Sequence, residues 1–109
     1  MAYDESLATR VRALVGEMPG VTEKKMFGTL VFLFQGNMSC GVYGDGLIVR
    51  LSPDASAAAL AEPGVRVPEM GSRPMKNWIM VDPDHLADDD TLDDWIQRGV
   101  LHARGLPAK

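Results

Sequence analysis

The sequence predicts an α+β fold in which an antiparallel β-meander is flanked by an N-terminal and a C-terminal helix, as a single domain over residues 1–109. Glycine-containing turns separate extended apolar runs between Lys25 and Leu51, which is typical of hairpins. Amphipathic segments with helical spacing lie towards both ends of the chain. A chain of 109 residues with 46% hydrophobic residues is large enough for one core.

The first element is predicted to be an amphipathic helix from about Asp4 to Met18. Acidic residues favour its N-terminus, and Pro19 with Gly20 is expected to end it. One face is predicted to be buried, and it consists of Leu7, Val11, Leu14, Val15 and Met18.

Four extended runs are predicted to follow as consecutive strands. The first, from Val21 to Met26, is partly polar, and its Lys24 and Lys25 indicate an exposed edge that resists pairing. The other three are joined by turns with residues that tolerate a positive φ, at Gln35-Gly36-Asn37 and Gly44-Asp45-Gly46.

The third run is predicted to alternate between two faces of the sheet. Met38, Cys40 and Val42 are expected to share the apolar face, opposite Ser39, Gly41 and Tyr43. Cys40 is the one cysteine, so it is predicted to be a small buried hydrophobe in a reducing compartment.

The second run, Leu30 to Phe34, is apolar on both faces, which is typical of a strand covered on two sides. Loops or a helix of the same chain could cover its second face. Alternatively, a second copy could cover it, with Phe32 and Phe34 in the interface of a homodimer.

After the meander, Ser52 and Pro53 predict the N-terminus of a short helix that extends to Ala61. A short extended piece is predicted at Val65 to Val67, a loop from Glu69 to Asn77, and a further strand from Trp78 to Val81.

The strongest helix signal runs from Asp89 or Asp90 to Arg104. Acidic residues cluster at its start, basic residues lie near its end, and Gly105 terminates it. Its buried face is predicted to consist of Leu92, Trp95, Ile96, Gly99 and Ala103.

The residue pattern indicates neither a catalytic site nor a cofactor. The acidic run before the last helix lacks the spacing of a calcium loop, and His85 and His102 lack partners at zinc-ligand spacing. The sequence has no basic stripe, so nucleic-acid binding by this domain is not expected. It also has no signal peptide and no long apolar run, so contact with a membrane is not expected. We therefore expect a cytoplasmic protein.

The best candidate site is a basic and apolar group formed by Arg73, Met75, Lys76 and Trp78. Lys25, Met26 and Phe27 would join it if the last strand lies beside the first. Arginine can hold a carboxylate or phosphate, and tryptophan offers a flat wall for a ligand or an acidic partner. The alternative is that these long basic side chains only cover an apolar edge.

The order of several short elements resembles the N-terminal domain of the TfoX/Sxy family, which is associated with regulation of bacterial competence. These elements are Lys25-Met26-Phe27-Gly28, Gly36-Asn37-Met38, Leu47-Ile48-Val49-Arg50, Arg73-Pro74-Met75-Lys76 and Val81-Asp82, followed by Leu92 and Trp95. The resemblance implies an α+β fold and a regulatory role without catalysis.

Two hypotheses of different classes follow. The first is a regulatory domain that binds a protein partner and forms a homodimer. The alternative is a binder of a small anionic ligand, or an unrecognised enzyme, that uses Arg73, Lys76 and Trp78.

Overall fold

The structure, a computed structural model, describes residues 3–16, 18–26, 28–70, 73–74 and 77–107. It confirms the predicted α+β class. The helices are α1 (Glu5–Val15), α2 (Pro53–Ala59) and α3 (Asp89–Arg104), with a 3-10 turn at Pro83–His85. The strands are β1 (Val21–Met26), β2 (Thr29–Phe34), β3 (Asn37–Tyr43), β4 (Gly46–Arg50), β5 (Val65–Arg66), β6 (Glu69–Met70), β7 (Arg73–Pro74) and β8 (Trp78–Val81).

Six strands form one antiparallel sheet in the order β1-β2-β3-β4-β8-β5. The meander from β1 to β4 is as predicted. β8 pairs with β4, and β5 forms the edge beyond β8, so the sequence-distant strands extend the side of the sheet opposite β1. The segment predicted to be a loop after Pro68 contains the short β6–β7 hairpin, in which Pro74 pairs with Glu69.

The core lies between the helices and one face of this sheet. α3 packs on β3 and β4 and also contacts α1. The predicted buried face of α3 is confirmed, with Val100 in addition to the predicted residues. Ile79 and Val81 point into the same core, whereas Trp78 and Met80 alternate to the opposite face, as the period of two predicts.

α1 is shorter than predicted at its C-terminus. The Asp4 carboxylate accepts hydrogen bonds from the backbone of Ser6 and Leu7 and so caps the N-terminus. The helix ends at Val15 because Gly16 follows with a φ of 55°, a conformation that glycine adopts readily. Termination therefore comes before the Pro19 predicted to cause it.

The predicted alternation of side chains in β3 is wrong, because this strand contains a β-bulge. Cys40 pairs with Phe32, but Met38 pairs with Leu33, so Ser39 is an extra residue between these pairs. Facing residues share one side of a sheet, and Met38 therefore lies with Leu33 rather than with Cys40. The buried Ser39 hydroxyl donates a hydrogen bond of 2.9 Å to the Phe32 carbonyl oxygen.

The phenyl rings assigned to a dimer interface lie in the core of the chain itself. Phe32 is 1% exposed and Phe34 is 7% exposed, and both belong to the cluster beneath the helices. This corrects their prediction as interface residues, because neither ring is presented to a second copy. On the opposite face of β2, Val31 is 4% exposed, so the chain also covers part of that face.

Candidate functional site

The sheet order keeps the two halves of the predicted basic and apolar group apart. β1, which carries Lys25 and Met26, is separated from β8 by β2, β3 and β4. The last strand therefore does not lie beside the first, and these two residues do not join Trp78. Phe27, Met75 and Lys76 lie outside the described residues, and Arg73 is in β7 opposite Met70.

Trp78 has a different basic neighbour. It pairs with Arg50 across β4 and β8, so both project from the face of the sheet opposite α3. Both residues are half-buried, and within the described part of the chain Arg50 makes no ion pair. Trp78 does not line any of the three cavities described below.

A mainly apolar groove lies between α2 and α3 and has a volume of about 320 Å3. We call it the α2–α3 groove. Leu101 of α3 is 69% exposed at this groove, although leucine is usually buried. The groove is lined by Leu51, Ser52, Ala55, Arg98, Leu101 and His102.

The positive charge of Arg98 at the groove is balanced by acidic side chains. Arg98 donates to Glu62 at 2.8 Å and to Asp94 at 2.9 Å, and its guanidinium lies 4.2 Å from the centre of the Trp95 ring. The contacts with Glu62 and Asp94 raise the pKa of Arg98, and the hydrogen bond to Glu62 is the largest cause. Arg98 is thus held in place as a wall of the groove.

His102 makes the other polar wall. Its partial burial lowers its pKa below the ordinary value of 6.5, and the positive charge of Arg50 adds to this effect. The imidazole is therefore neutral at neutral pH. An apolar groove with a fixed arginine and a neutral histidine suits an apolar side chain of a partner better than a free ion.

A second cavity, of about 400 Å3, opens beside the N-terminus of α3 and has a lining that is about equally polar and apolar. Carboxylates of Glu62, Asp84 and Asp88 contribute to it, with His85 and Trp95. Among the residues that the structure describes, however, no group of three or more His, Cys, Asp or Glu side chains could hold a metal ion. The acidic residues in the first turn of α3 stabilise the N-terminus of that helix electrostatically.

A third and smaller cavity, of about 90 Å3, lies between α1 and the 3-10 turn. Arg10 on its wall donates hydrogen bonds to Asp89 and to the carbonyl oxygen of Leu86. The bonds join α1 to the start of α3 and account for this arginine structurally.

Cys40 has the environment of a core residue. Burial raises the pKa of its thiol to about 12, and a weak hydrogen bond from the Ser39 hydroxyl opposes that shift. A thiol with so high a pKa holds no thiolate at neutral pH and is no nucleophile. The prediction that Cys40 is a small buried hydrophobe is confirmed.

The sequence reasoning did not identify the α2–α3 groove. One signal was present, since Leu101 is apolar but lies outside the buried face of α3. The other walls come from the end of β4 and from α2, and only the tertiary fold brings them together.

Comparison with known proteins gives one positive result. No curated protein and no solved structure matches the chain significantly. The profile of the TfoX N-terminal domain matches residues 13–103, from the last turn of α1 to the last turn of α3. It thus spans the whole sheet and the α2–α3 groove. The chain belongs to the TfoX N-terminal domain family.

Proposed function

We propose that this competence-regulator-like domain is non-catalytic and acts by binding a protein partner, with the α2–α3 groove as its contact surface. The observation that carries the proposal is the position of Leu101, 69% exposed beside an apolar groove. A leucine in water next to an apolar recess resembles the pairing of anchor and pocket found at interface hot spots. The family is not a known family of enzymes.

The surroundings of the groove support a protein partner rather than a small charged ligand. Arg98 forms ion pairs with Glu62 and Asp94, which leaves little net positive charge to bind a free anion. α2 exposes small alanine side chains next to the groove, including Ala55. Small side chains let a second helix or an extended segment approach closely.

The experiment replaces the exposed leucine and compares it with a matched control. The tagged domain is used to isolate its partner from its own cells, and binding of the purified partner is then measured by calorimetry. We expect Leu101→Asp to weaken binding by about thirtyfold or more, the effect of losing a hot spot.

Val67→Asp is the control, because Val67 is also an exposed apolar residue but does not line the groove. It is expected to bind like the unmodified protein. Both variants should keep the unmodified circular dichroism spectrum. Equal binding by Leu101→Asp and the unmodified protein would contradict the groove as the contact surface.

The homodimer stays a prediction, and with Phe32 and Phe34 in the core it needs another surface. Sedimentation velocity at micromolar concentration tests it. A dimer that Leu101→Asp converts to a monomer would place a second copy in the groove. A monomer at every concentration would remove the homodimer.

The pairing of Arg50 with Trp78 supports a second candidate function, the binding of a small anionic ligand on the opposite face of the sheet. A thermal-shift screen with anionic metabolites tests it, because a ligand at about 100 times its Kd adds about 2.7 kcal/mol of stability. Arg50→Gln is expected to abolish the shift, and Arg66→Gln, in β5, is expected to retain it. Equal shifts in both variants would reject this site.

A further inference from the structure

β1 is an open edge of the sheet. It pairs with β2 on one side, and in the described part of the chain no strand pairs with its other side. Thr22, Glu23, Lys24 and Lys25 are all exposed, so both faces of this strand are also uncovered. By contrast, the strand at the other edge, β5, contains only two residues.

The register shows which backbone groups point outward. The amide of Gln35 donates to the carbonyl oxygen of Gly20 at 2.8 Å, which extends the β1–β2 register by one pair. Hydrogen-bonded pairs alternate along an antiparallel ladder, so Thr22, Lys24 and Met26 bond to β2. The N–H and C=O groups of Glu23 and Lys25 therefore face the open edge.

The side chains give this edge a positive character. Glu23 is held by Arg12 of α1, whose guanidinium donates to both carboxylate oxygens at 3.0 and 3.1 Å. Lys24 and Lys25 make no ion pair within the described residues. As neighbours on a strand, they project to opposite faces of the sheet.

We propose that β1 accepts an extended acidic segment of a partner protein as an added strand, with two consecutive acidic residues opposite Lys24 and Lys25. Consecutive residues of the added strand also project to opposite faces, so each carboxylate meets one ammonium group. The outward groups of Glu23 and Lys25 supply the backbone hydrogen bonds. This surface is separate from the α2–α3 groove, so its failure would leave the proposed function standing.

The two lysines also explain which strands are disfavoured as pairing partners of this edge. Lysine on an edge discourages pairing with neutral or basic strands but not with acidic ones, which gives selectivity by charge. A second copy is disfavoured as well. In a two-fold antiparallel pair one residue faces its own copy, and the two registers of greatest overlap bring either Glu23 or Lys24 against itself.

The probe is a capped peptide, Thr-Val-Glu-Glu-Val-Thr, titrated into the ¹⁵N-labelled protein and followed by amide chemical shifts. We expect saturable shifts centred on β1 and slower hydrogen exchange at the amides of Glu23 and Lys25, because these two would become hydrogen-bonded. The same peptide with Gln-Gln in place of Glu-Glu should bind about tenfold more weakly. Added salt should weaken only the acidic peptide.

Two variants of β1 distinguish the contribution of the lysine charges to peptide binding from that of the backbone hydrogen bonds. Lys24→Gln with Lys25→Gln should weaken the acidic peptide about tenfold while leaving the Gln-Gln peptide unchanged. Lys25→Pro removes an outward N–H but no bond to β2, so it should abolish binding of both peptides. Arg66→Gln at the other edge of the sheet is the matched control and should bind normally.

Three results would overturn the proposal. The Gln-Gln peptide could bind as tightly as the acidic one, or the shifts could be absent from β1 at millimolar peptide. Alternatively, the amides of Glu23 and Lys25 could shift with protein concentration alone, which would make a second copy the occupant. The double glutamine variant keeps the test valid even if Lys25→Pro does not fold.

Discussion

Gly99 of α3 lies directly against the backbone carbonyl of Ser39 in β3, so closely that a methyl group at Gly99 would overlap the carbonyl oxygen. Val49 lies beside the same contact. Because the obstructing atom belongs to the backbone of a central strand, it cannot move without shifting β3. This contact sets the distance between α3 and the sheet.

Gly99→Ala is therefore expected to destabilise the fold although alanine is the better helix former. The gain in helix propensity is about 1 kcal/mol, while the overlap forces α3 away from the sheet, and we expect a net loss of about 2 kcal/mol. Urea denaturation measures it. Gln97→Ala, on the exposed face of the same helix, should change stability little. A more stable Gly99→Ala protein would contradict the contact.

Removal of the Ser39 hydroxyl tests the bulge in β3. Ser39→Ala leaves the buried carbonyl of Phe32 without this hydrogen bond, and we expect a loss of about 1 to 2 kcal/mol in urea denaturation. Thr9→Ala is the comparison, since it deletes a bond of the same 2.9 Å length to a backbone carbonyl at an exposed site. It should be neutral or slightly stabilising, because water replaces the bond and alanine favours the helix.

The sequence predicted the elements whose signals are local. The turns at Gly36 and Gly44, the N-cap at Ser52 and the apolar stripe of α3 each determine their structure within a few residues. Its errors are of another kind. The bulge at Ser39 depends on the pairing with β2, and the place of β8 beside β4 depends on contacts between residues far apart in the sequence.

The same distinction explains the candidate site. The exposed lysines of β1 were predicted because an edge strand has a local charge pattern. The α2–α3 groove was missed because its walls come from β4, α2 and α3, and no local pattern relates them. The interface prediction for Phe32 failed because the sequence pattern of an apolar strand is the same whether a helix of the same chain or a second copy covers it.

The Cys40 thiol is expected to resist modification in the native protein. Its full burial and a pKa raised to about 12 leave neither access nor thiolate for reaction with iodoacetamide at neutral pH. Reaction should follow global unfolding and accelerate with urea in step with the loss of the circular dichroism signal. Rapid labelling in the absence of denaturant would show that β3 opens locally.

His102 is expected to make the fold less stable as the pH falls through its ordinary pKa. Burial, aided by the charge of Arg50, lowers its folded-state pKa below 6.5, while the unfolded chain keeps the ordinary value. Just below that value the unfolded state binds more protons, so stability decreases with falling pH. The decrease ends once the pH is below the folded-state pKa.

The difference in unfolding free energy between the unmodified protein and His102→Gln, measured in urea from about pH 8 to about pH 5, isolates this effect from the other titrating groups. We expect the difference to shrink as the pH falls. Arg50→Gln should move the His102 resonance to a higher pKa in an NMR titration, because it removes one of the two causes of the shift. A difference that stays constant across this range would show that His102 titrates alike in both states and would place its ring in water rather than against the groove.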